Sequence, residues 1–297
     1  MILRYFFSYL WKNVRAQFET LGDFKVMGSQ ILAASRVRHH RSTRALEGGG
    51  SYSYAQETLH QTSLKAGGTL SFQGKHLMTQ GVALEAEKLT LEVERWGDRG
   101  VITTTQDRRV EPGTKEDAVY TGSSSVFHPS SIEAQEISGR VGAILHQGTQ
   151  MKGQGVLEAQ CYRCIPGYGS TSESSHNVYI QERRHSTQPV PGSIEGVRVE
   201  PFTDLSQAST AMTPLEGLHL SLQQGAFQGT QFVGEVRIEA REKLLLTPAV
   251  RQDGFEKVVV LKDSSLLIIV HSLFYGYISP YNRVDPSSDS SSLDEQT

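Results

Sequence analysis

The stretch "GGTLSFQGKHLMTQGVALEAEKLTLEVE" (residues 67–94) decides the fold of this chain. Its apolar residues fall in short bursts at every second position, and it contains no proline. Alternation of this kind is typical of β-strands with one buried face and one face in solvent. The bursts are Leu70 and Phe72, then Val82 and Leu84, then Leu89, Leu91 and Val93, and the glycines between them are Gly74 and Gly81.

The same alternation returns along most of the chain, whereas helical periodicity is nearly absent after Arg15. Charged residues such as Glu85, Arg237 and Glu239 occupy the alternate positions, which are expected to face solvent. The sequence therefore predicts an all-β fold. The further alternating positions are Phe24 and Val26, Val197 and Val199, Leu218, Leu220 and Leu222, Val236 and Ile238, and Leu244 and Leu246.

The sequence also contains similar segments that repeat over a longer distance. "GSQILAA" (from Gly28), "GTQMKGQGVLEAQ" (from Gly148) and "GTQFVGEVRIEAR" (from Gly229) share a frame. "GVALEAEKLTLEV" (from Gly81) aligns with "GEVRIEAREKLLLT" (from Gly234) when one residue is inserted. One copy takes about twenty residues, a period that is typical of solenoid proteins.

Stacking explains how such short strands gain stability. A two- or three-residue strand buries little by itself, but as one side of a coil it pairs with its equivalents above and below, about 4.8 Å away. Glycine supplies the positive φ that a corner needs. The small residues Ala86, Ala159 and Ala240 suit the inside of a bend. The predicted architecture is therefore a parallel β-helix.

The chain divides into five parts on this interpretation. Residues 1–18 form an apolar cap, with a short helix as one option, and residues 19–255 form the β-helix. Polar, Ser/Thr-rich insertions at residues 95–131 and 165–193 are expected to leave the coil as loops or hairpins. Residues 256–284 are an apolar, strand-rich closing segment, and residues 285–297 are a disordered acidic tail.

Two stretches resemble the haemagglutinin-repeat exoproteins of the filamentous-haemagglutinin type. They are "LKAGGTLSFQGKHLMTQGVALEAEKLTLEV" (residues 64–93) and "LEGLHLSLQQGAFQGTQFVGEVRIEAREKLLL" (residues 215–246), and "YAQETLHQTSLKAGG" (residues 54–68) is similar to the junctions of such proteins. The resemblance covers about half of the chain, in patches. It implies a right-handed parallel β-helix that is exported through an outer-membrane two-partner secretion transporter to the bacterial surface or medium. The family's N-terminal secretion domain is missing and the chain is far shorter than a typical member, so the chain is expected to be a fragment, a truncated reading frame or one piece of a longer array.

Three functions follow as hypotheses. The leading one is a non-enzymatic, adhesin-like segment that presents its insertions to glycans or proteins of cell surfaces. The second is the delivery stalk of a contact-dependent growth-inhibition toxin. The third is a β-helix carbohydrate-active enzyme, which would need a cleft with converging carboxylates and basic residues on one face. Because the sequence carries no nucleophile, phosphate-loop, dinucleotide or paired-histidine motif, no catalytic residue, cofactor or metal site is predicted.

Charge narrows the choice of partners. The chain has 29 basic and 32 acidic residues, a net charge of −3 that argues against a dedicated nucleic-acid binder. One segment, "RVRHHRSTR" (residues 36–44), is a candidate site for heparin-like glycans or anionic lipid. Its alternative is a solvated loop between coils, which the sequence favours. The candidate residues are Arg36, Arg38, His39, His40, Arg41 and Arg44, and the outward glutamates Glu85, Glu87, Glu92 and Glu94 are predicted to form a solvated face rather than a catalytic or calcium site.

Two cysteines, Cys161 and Cys164, stand in "CYRC". The spacing allows a redox pair, half of a zinc site or a local disulfide, but no second ligand pair follows. Two loop cysteines, free or joined in a small disulfide, are the favoured interpretation. The apolar N-terminus (residues 2–11) lacks a nearby cleavage pattern, and neither it nor the apolar run at residues 266–278 is long enough to span a bilayer as a helix.

Overall fold

The computed structural model of the chain describes residues 5–6, 11–14, 17–113, 117–197, 217–260 and 267–278. All regular secondary structure in these residues is β-strand, so the all-β prediction is confirmed. The strands are β1 (Tyr5–Phe6), β2 (Trp11–Val14), β3 (Gln17–Thr20), β4 (Phe24–Ala34), β5 (Arg36–Ala45), β6 (Ser51–His60), β7 (Thr62–Gln80), β8 (Val82–Arg99), β9 (Val101–Glu111), β10 (Ala118–His128), β11 (Ser131–Gln147), β12 (Gln150–Ile165), β13 (Gly167–His176), β14 (Ile180–Val190), β15 (Ser193–Gly196), β16 (Leu218–Gln228), β17 (Gln231–Gly234), β18 (Val236–Thr247), β19 (Ala249–Val260) and β20 (Leu267–Ile278).

A 12-stranded parallel sheet carries the repeat. Its central order is β4-β7-β8-β11-β12-β16-β18, with the short strands pairing alongside. The pairing stays in register over long distances, since Leu64 of β7 pairs with Leu84 of β8, which in turn pairs with Ile132 of β11. Equivalent positions of successive strands therefore form columns that run across the sheet.

The buried columns are those that the alternation predicts. Leu70, Leu84 and their equivalents form one continuous apolar core, while the intervening Glu85 is exposed. The column weakens at β18, where Val236 and Ile238 are only partly buried. Leu244 and Leu246 are 45% and 52% exposed. Among the described strands, β18 pairs only with β16, whereas β16 pairs on both sides. The residues of β18 are therefore less covered than those of β16.

Glycines serve this sheet in two ways. Gly81 joins β7 to β8 with a φ of 61°, the left-handed conformation that was predicted for glycines between strands. Gly74 does not have a positive φ, contrary to the prediction that it turns a corner. It lies within β7 and pairs with Gly28, and a Cβ atom on Gly74 would stand 1.9 Å from the carbonyl oxygen of Gly28. Close approach of two strands, rather than a turn, explains the glycine at this position.

An 8-stranded antiparallel sheet, here called the hairpin sheet, is built from four β-hairpins: β5–β6, β9–β10, β13–β14 and β19–β20. The second and third hairpins lie in the predicted insertions at residues 95–131 and 165–193. The first lies within the part assigned to the β-helix. The fourth contains the described residues of the segment 256–284, which was expected to close the coil.

The hairpins leave the parallel sheet at regular intervals. They follow β4, β8, β12 and β18, whereas β7, β11 and β16 end instead at Gly81, Gly148 and Gly229, whose φ values are 61°, 60° and 55°. Two strand spacings in a parallel sheet amount to about 9.6 Å, which is the width that one two-stranded hairpin occupies. Neighbouring hairpins can therefore pair edge to edge, and the hairpin sheet is continuous from β5 to β20.

Phe127 anchors the second hairpin where it returns to the parallel sheet. Its buried ring lies against Gly100, Gly148 and Gly167, at which a Cβ atom would come within 2.3 Å of a ring carbon. Ser130, three residues later, accepts a hydrogen bond from the amide of Gly81 at 3.0 Å and donates one to the carbonyl of Arg99 at 3.0 Å. These contacts fix the base of the hairpin to Gly81 and Gly148, the glycine turns that end β7 and β11.

The helical option for residues 1–18 is wrong for the part that is described. Tyr5–Phe6 and Trp11–Val14 are strands that pair in parallel with β4, and β3 pairs with β7. Aromatic and β-branched residues favour strands, and the open edges of β4 and β7 offer backbone partners. The predicted acidic tail (residues 285–297) lies outside the described residues. Within the described ranges there is no helix of the length and hydrophobicity needed to cross a membrane.

Candidate functional site

The basic segment at residues 36–44 is a strand and not the loop that the sequence favoured. It lies within β5, which forms one edge of the hairpin sheet and pairs only with β6 among the described strands. Nearly all of its side chains are exposed. Charged residues on an edge strand discourage pairing with another chain, which gives this segment a structural role beside any binding role.

Strand alternation divides the candidate patch between two faces. Arg36, Arg38, His40 and Arg44 share one face, and His39 and Arg41 share the other. The Arg44 guanidinium stacks over the ring of Tyr52, 5.1 Å from its centroid. On the opposite face, Nδ1 of His39 lies 3.0 Å from Oε1 of Glu57. The six residues therefore do not form one binding surface, and Arg41 belongs to a different surface from most of them.

Arg41 borders a depression of about 320 Å³ on the hairpin sheet, here called the Arg41–Arg108 depression. Two cross-strand rows build it from five neighbouring strands. One row is Arg41, Ala55, Gln106, Ser123 and Ser172, and the next row on the same face is Thr43, Ser53, Arg108, Thr121 and Ser174. Of these two rows, all but Thr43 and Ser174 line the depression, and Tyr54, Asp107 and Gly122 line it as well. It therefore offers two guanidinium groups, one amide, one carboxylate and several hydroxyl groups.

The two arginines are available to a ligand. Both side chains are exposed, and neither has an ion-pair partner among the residues that the structure describes. Asp107, the acid next to Arg108, also lines the depression, although strand alternation directs its side chain toward Gly122 on the opposite face. The hydroxyl groups nearby are ordered by each other, since Thr121 pairs with Ser174, and Ser125 and Ser170 lie 2.8 Å apart.

Arg108 was missed in the sequence because it stands in a segment interpreted as an insertion. The available signal for a strand was the run of three threonines that opens "TTTQDRRVE" (residues 103–111), because threonine favours strands. Only the pairing of β9 with β6 brings Arg108 near Arg41.

A second concave surface, here called the trench, runs across β7, β8, β11, β12, β16 and β18 of the parallel sheet. Its volume is about 1610 Å³. One wall follows the in-register column Glu92, Arg140, Glu158 and Ser221, and the other follows Arg95, Ala143, Cys161 and Gln224. The predicted solvated glutamates Glu92 and Glu94 are exposed and line it, whereas Glu85 and Glu87 are exposed outside it.

Polar contacts within the trench hold its side chains in place. Nε of Arg140 lies 3.0 Å from Oε2 of Glu158. Glu242 accepts hydrogen bonds from the amides of Gln224, at 2.8 Å, and Gln223. These two bonds hold the pKa of Glu242 below its usual range. Arg140 and Glu158 therefore neutralise each other, whereas the two amides keep Glu242 in its charged form.

A third group of polar residues is buried in the core. Thr79, Asp98, His146 and Cys164 occupy one in-register column. The Asp98 carboxylate accepts hydrogen bonds from the hydroxyls of Thr79 and Thr149. Burial raises the pKa of Asp98 to about 6, although its hydrogen bonds to Thr149 and Thr79 oppose this, and burial lowers the pKa of His146 to about 3. Although an Asp, a His and a Cys follow one another, solvent does not reach them, so this column is part of the core.

The two cysteines stand on strand β12, not in a loop, and they are not joined by a disulfide. Cys161 is exposed in the trench, and Cys164 is buried. Burial raises the pKa of the Cys164 thiol to about 11. No cluster of three or more His, Cys, Asp or Glu side chains suited to a metal ion occurs in the described ranges.

Comparison with known proteins adds no relative: no family model, no curated protein and no solved structure matches this chain.

Proposed function

We propose that this chain is a non-enzymatic segment of a secreted or cell-surface, adhesin-like protein. Its parallel strands wind as a right-handed β-helix, and its hairpin sheet binds acidic glycans of a cell surface. The observation that carries the proposal is the Arg41–Arg108 depression, which combines two arginines and several hydroxyl groups with a single carboxylate, that of Asp107.

The short connection between the long parallel strands β7 and β8 supports the β-helix. β7 has 19 residues, and a straight strand of that length would span about 60 Å. Yet only Gly81 separates its end from β8, whose first residue Val82 pairs with Thr62, the first residue of β7. The chain must therefore return to its starting side within one strand. A right-handed course follows from the strong preference of parallel crossovers for that hand.

The chemistry of the depression supports the ligand class. A guanidinium group forms paired, charge-assisted hydrogen bonds with sulfate and carboxylate groups. The hydroxyl groups of Ser53, Thr121 and Ser123 can exchange hydrogen bonds with sugar hydroxyls. A sulfated or uronic-acid glycan presents both kinds of group.

The proposed export and cell-surface location of the protein rest on the sequence alone. The resemblance of residues 64–93 and 215–246 to haemagglutinin repeats supports export through an outer-membrane two-partner secretion transporter. It also supports cell-surface glycans or proteins as partners. Repetition of the unit along a longer protein would multiply weak contacts into useful avidity.

The test measures heparin binding to the purified full chain by isothermal titration calorimetry at low salt, with dextran as the uncharged control ligand. R41Q/R108Q should weaken heparin binding at least tenfold, because each charge-assisted hydrogen bond is worth about 1.5 kcal/mol or more. Added salt should weaken binding further.

R36Q/R38Q is the matched control, since it removes two charges from the same edge strand on the other face. It should change heparin affinity by less than about twofold. Equal losses in the two double variants, or no heparin binding at all, would overturn the assignment of the ligand to the Arg41–Arg108 depression.

A further inference from the structure

We propose that the trench binds an uncharged, linear polysaccharide that lies along its length, across the parallel strands. This site belongs to the parallel sheet and is separate from the Arg41–Arg108 depression of the hairpin sheet.

The shape of the trench fits an extended polymer. It crosses six strands, so its length is about 24 Å. The walls are open to solvent along this length, so a chain can enter without any part of the fold opening. A run of several sugar units fits such a length, whereas a single compact ligand would fill only a fraction of it.

The middle of the trench is deepened by small residues. β11 contributes Gly142 and Ala143 at the level where β8 contributes Glu94 and Arg95. A Cβ atom on Gly142 would stand 2.4 Å from the carbonyl oxygen of Glu94, so the close approach of β11 to β8 requires glycine there. Ala143 leaves a notch between Arg95 on one side and Cys161 on the other.

The polar groups of the trench suit an uncharged polyol. Carboxylates and guanidinium groups both line it, and Arg140 is paired with Glu158. A polyanion would therefore meet carboxylates, and a polycation would meet arginines. Amides such as Gln160 and Gln223 offer both donors and acceptors, which is what sugar hydroxyls need.

An extended peptide fits less well. Peptides that bind a sheet usually add a strand to an open backbone edge. The strands in the middle of the trench, β8, β11 and β12, are each paired on both sides, so their backbone groups are already used. Only side chains remain for the ligand, and a polysaccharide can be held by side chains alone.

Cys161 provides the measurement, because it is exposed in the trench while Cys164 is buried with a raised pKa. The rate of alkylation of native protein by N-ethylmaleimide is followed by mass spectrometry, with dextran, laminarin, soluble starch and galactomannan as probes. At least one of these polysaccharides should slow the alkylation of Cys161 about tenfold or more. C161S should show no alkylation in the native state, which verifies the reporter.

Two tryptophan variants test the location. A143W fills the notch, points away from the core and should abolish the protection, whereas L145W adds the same side chain on the same strand outside the trench and should keep it. Circular dichroism and urea denaturation verify that both variants fold. Because the tryptophan of A143W would stand beside Cys161, protection is expressed relative to the alkylation rate of the same variant without polysaccharide. The proposal is overturned if none of the four polysaccharides protects Cys161, if only heparin does so, or if A143W is protected as well as L145W. Because R41Q/R108Q leaves the trench intact, it should not affect this protection, and the two binding sites can fail independently.

Discussion

Asp98 pairs in register with His146 on the neighbouring strand, and both side chains are shut off from solvent, at 2% and 1% exposure. Burial moves their pKa values in opposite directions, to about 6 for Asp98 and to about 3 for His146. Hydroxyl groups on other strands hold both residues, since Tyr162 lies 2.9 Å from Nδ1 of His146 and Thr79 donates to Asp98. The core therefore contains an acid that favours its protonated form and a base that favours its neutral form.

Replacing Asp98 should expose the titration of His146. Between about pH 4 and pH 6 the folded protein retains the Asp98 proton that the unfolded chain releases, so this residue lowers stability as pH rises. In the same range the unfolded chain binds a proton that buried His146 refuses, so His146 raises stability as pH rises. The two effects oppose each other. Relative to the unmodified chain, D98N should gain about 1 kcal/mol of unfolding free energy per pH unit from pH 4 to pH 6, measured by urea denaturation. Parallel stability curves for D98N and the unmodified chain would contradict this.

Replacing His146 should give the opposite slope. H146Q keeps an acceptor for Tyr162 but cannot titrate, so only the Asp98 effect remains. Its unfolding free energy should fall with rising pH, relative to the unmodified chain, by about 1 kcal/mol per unit over the same range. The double variant D98N/H146Q should follow the unmodified chain. A slope in H146Q of the same sign as in D98N would refute the assignment of the two titrations.

The inward and outward assignment can be tested on neighbouring residues of β8. Leu84 is buried and Glu85 is exposed beside Lys65, with a 2.7 Å ion pair. L84D should lower the unfolding free energy by more than about 3 kcal/mol, because it buries a charge, and E85S should change it by less than about 1 kcal/mol. I238D at the less covered strand β18 should cost less than L84D. Chemical denaturation of the three variants decides the order, and similar losses in L84D and E85S would contradict it.

The close contact of Gly74 with Gly28 predicts a backbone clash. A methyl group at position 74 would stand 1.9 Å from the Gly28 carbonyl oxygen, and a backbone atom cannot rotate away as a side chain can. G74A should lower the thermal midpoint markedly, at a cost of about 1–3 kcal/mol that is typical of overpacking. Gly22 is the control, since nothing lies within 4 Å of the corresponding position and its φ is not positive. A G74A midpoint equal to that of G22A would show that β4 and β7 can separate without loss.

The sequence was sufficient to predict the buried and exposed faces of the parallel strands. Leu84 and Glu85 differ in hydropathy, and that difference is enough to assign the two faces of a half-buried strand. The hairpin sheet lacks such a signal, because polar residues occupy both of its faces, as in "TGSSSVF" and "GSTSESS" (from Thr121 and from Gly169). Its strands are specified by pairing with neighbours far away in the chain, which local periodicity cannot show.

Self-similarity also placed some residues wrongly. The alignment of "GVALEAEKLTLEV" with "GEVRIEAREKLLLT" makes Leu84 and Ile238 equivalent positions of the repeat. In the structure, however, Leu84 pairs with Ile132 and Ile238 pairs with Leu220, in different columns of the sheet. Ala86 and Ala240 occupy different columns, although each follows an apolar-x-apolar-Glu pattern. The same short pattern therefore occurs at two different positions along the strands. The sequence also did not predict the Arg41–Arg108 depression. The two arginines are far apart in the sequence, and only the pairing of β5 and β9 with β6 brings them close.

The regular departure of the hairpins limits how such a protein can change its length. Each hairpin fills the width of two parallel strands, so duplication of a two-strand unit with its hairpin would extend both sheets together. Duplication of a single parallel strand would leave a gap one strand wide in the hairpin sheet, with unpaired amides and carbonyls on both sides. Growth or shrinkage by genetic duplication should therefore proceed in double steps.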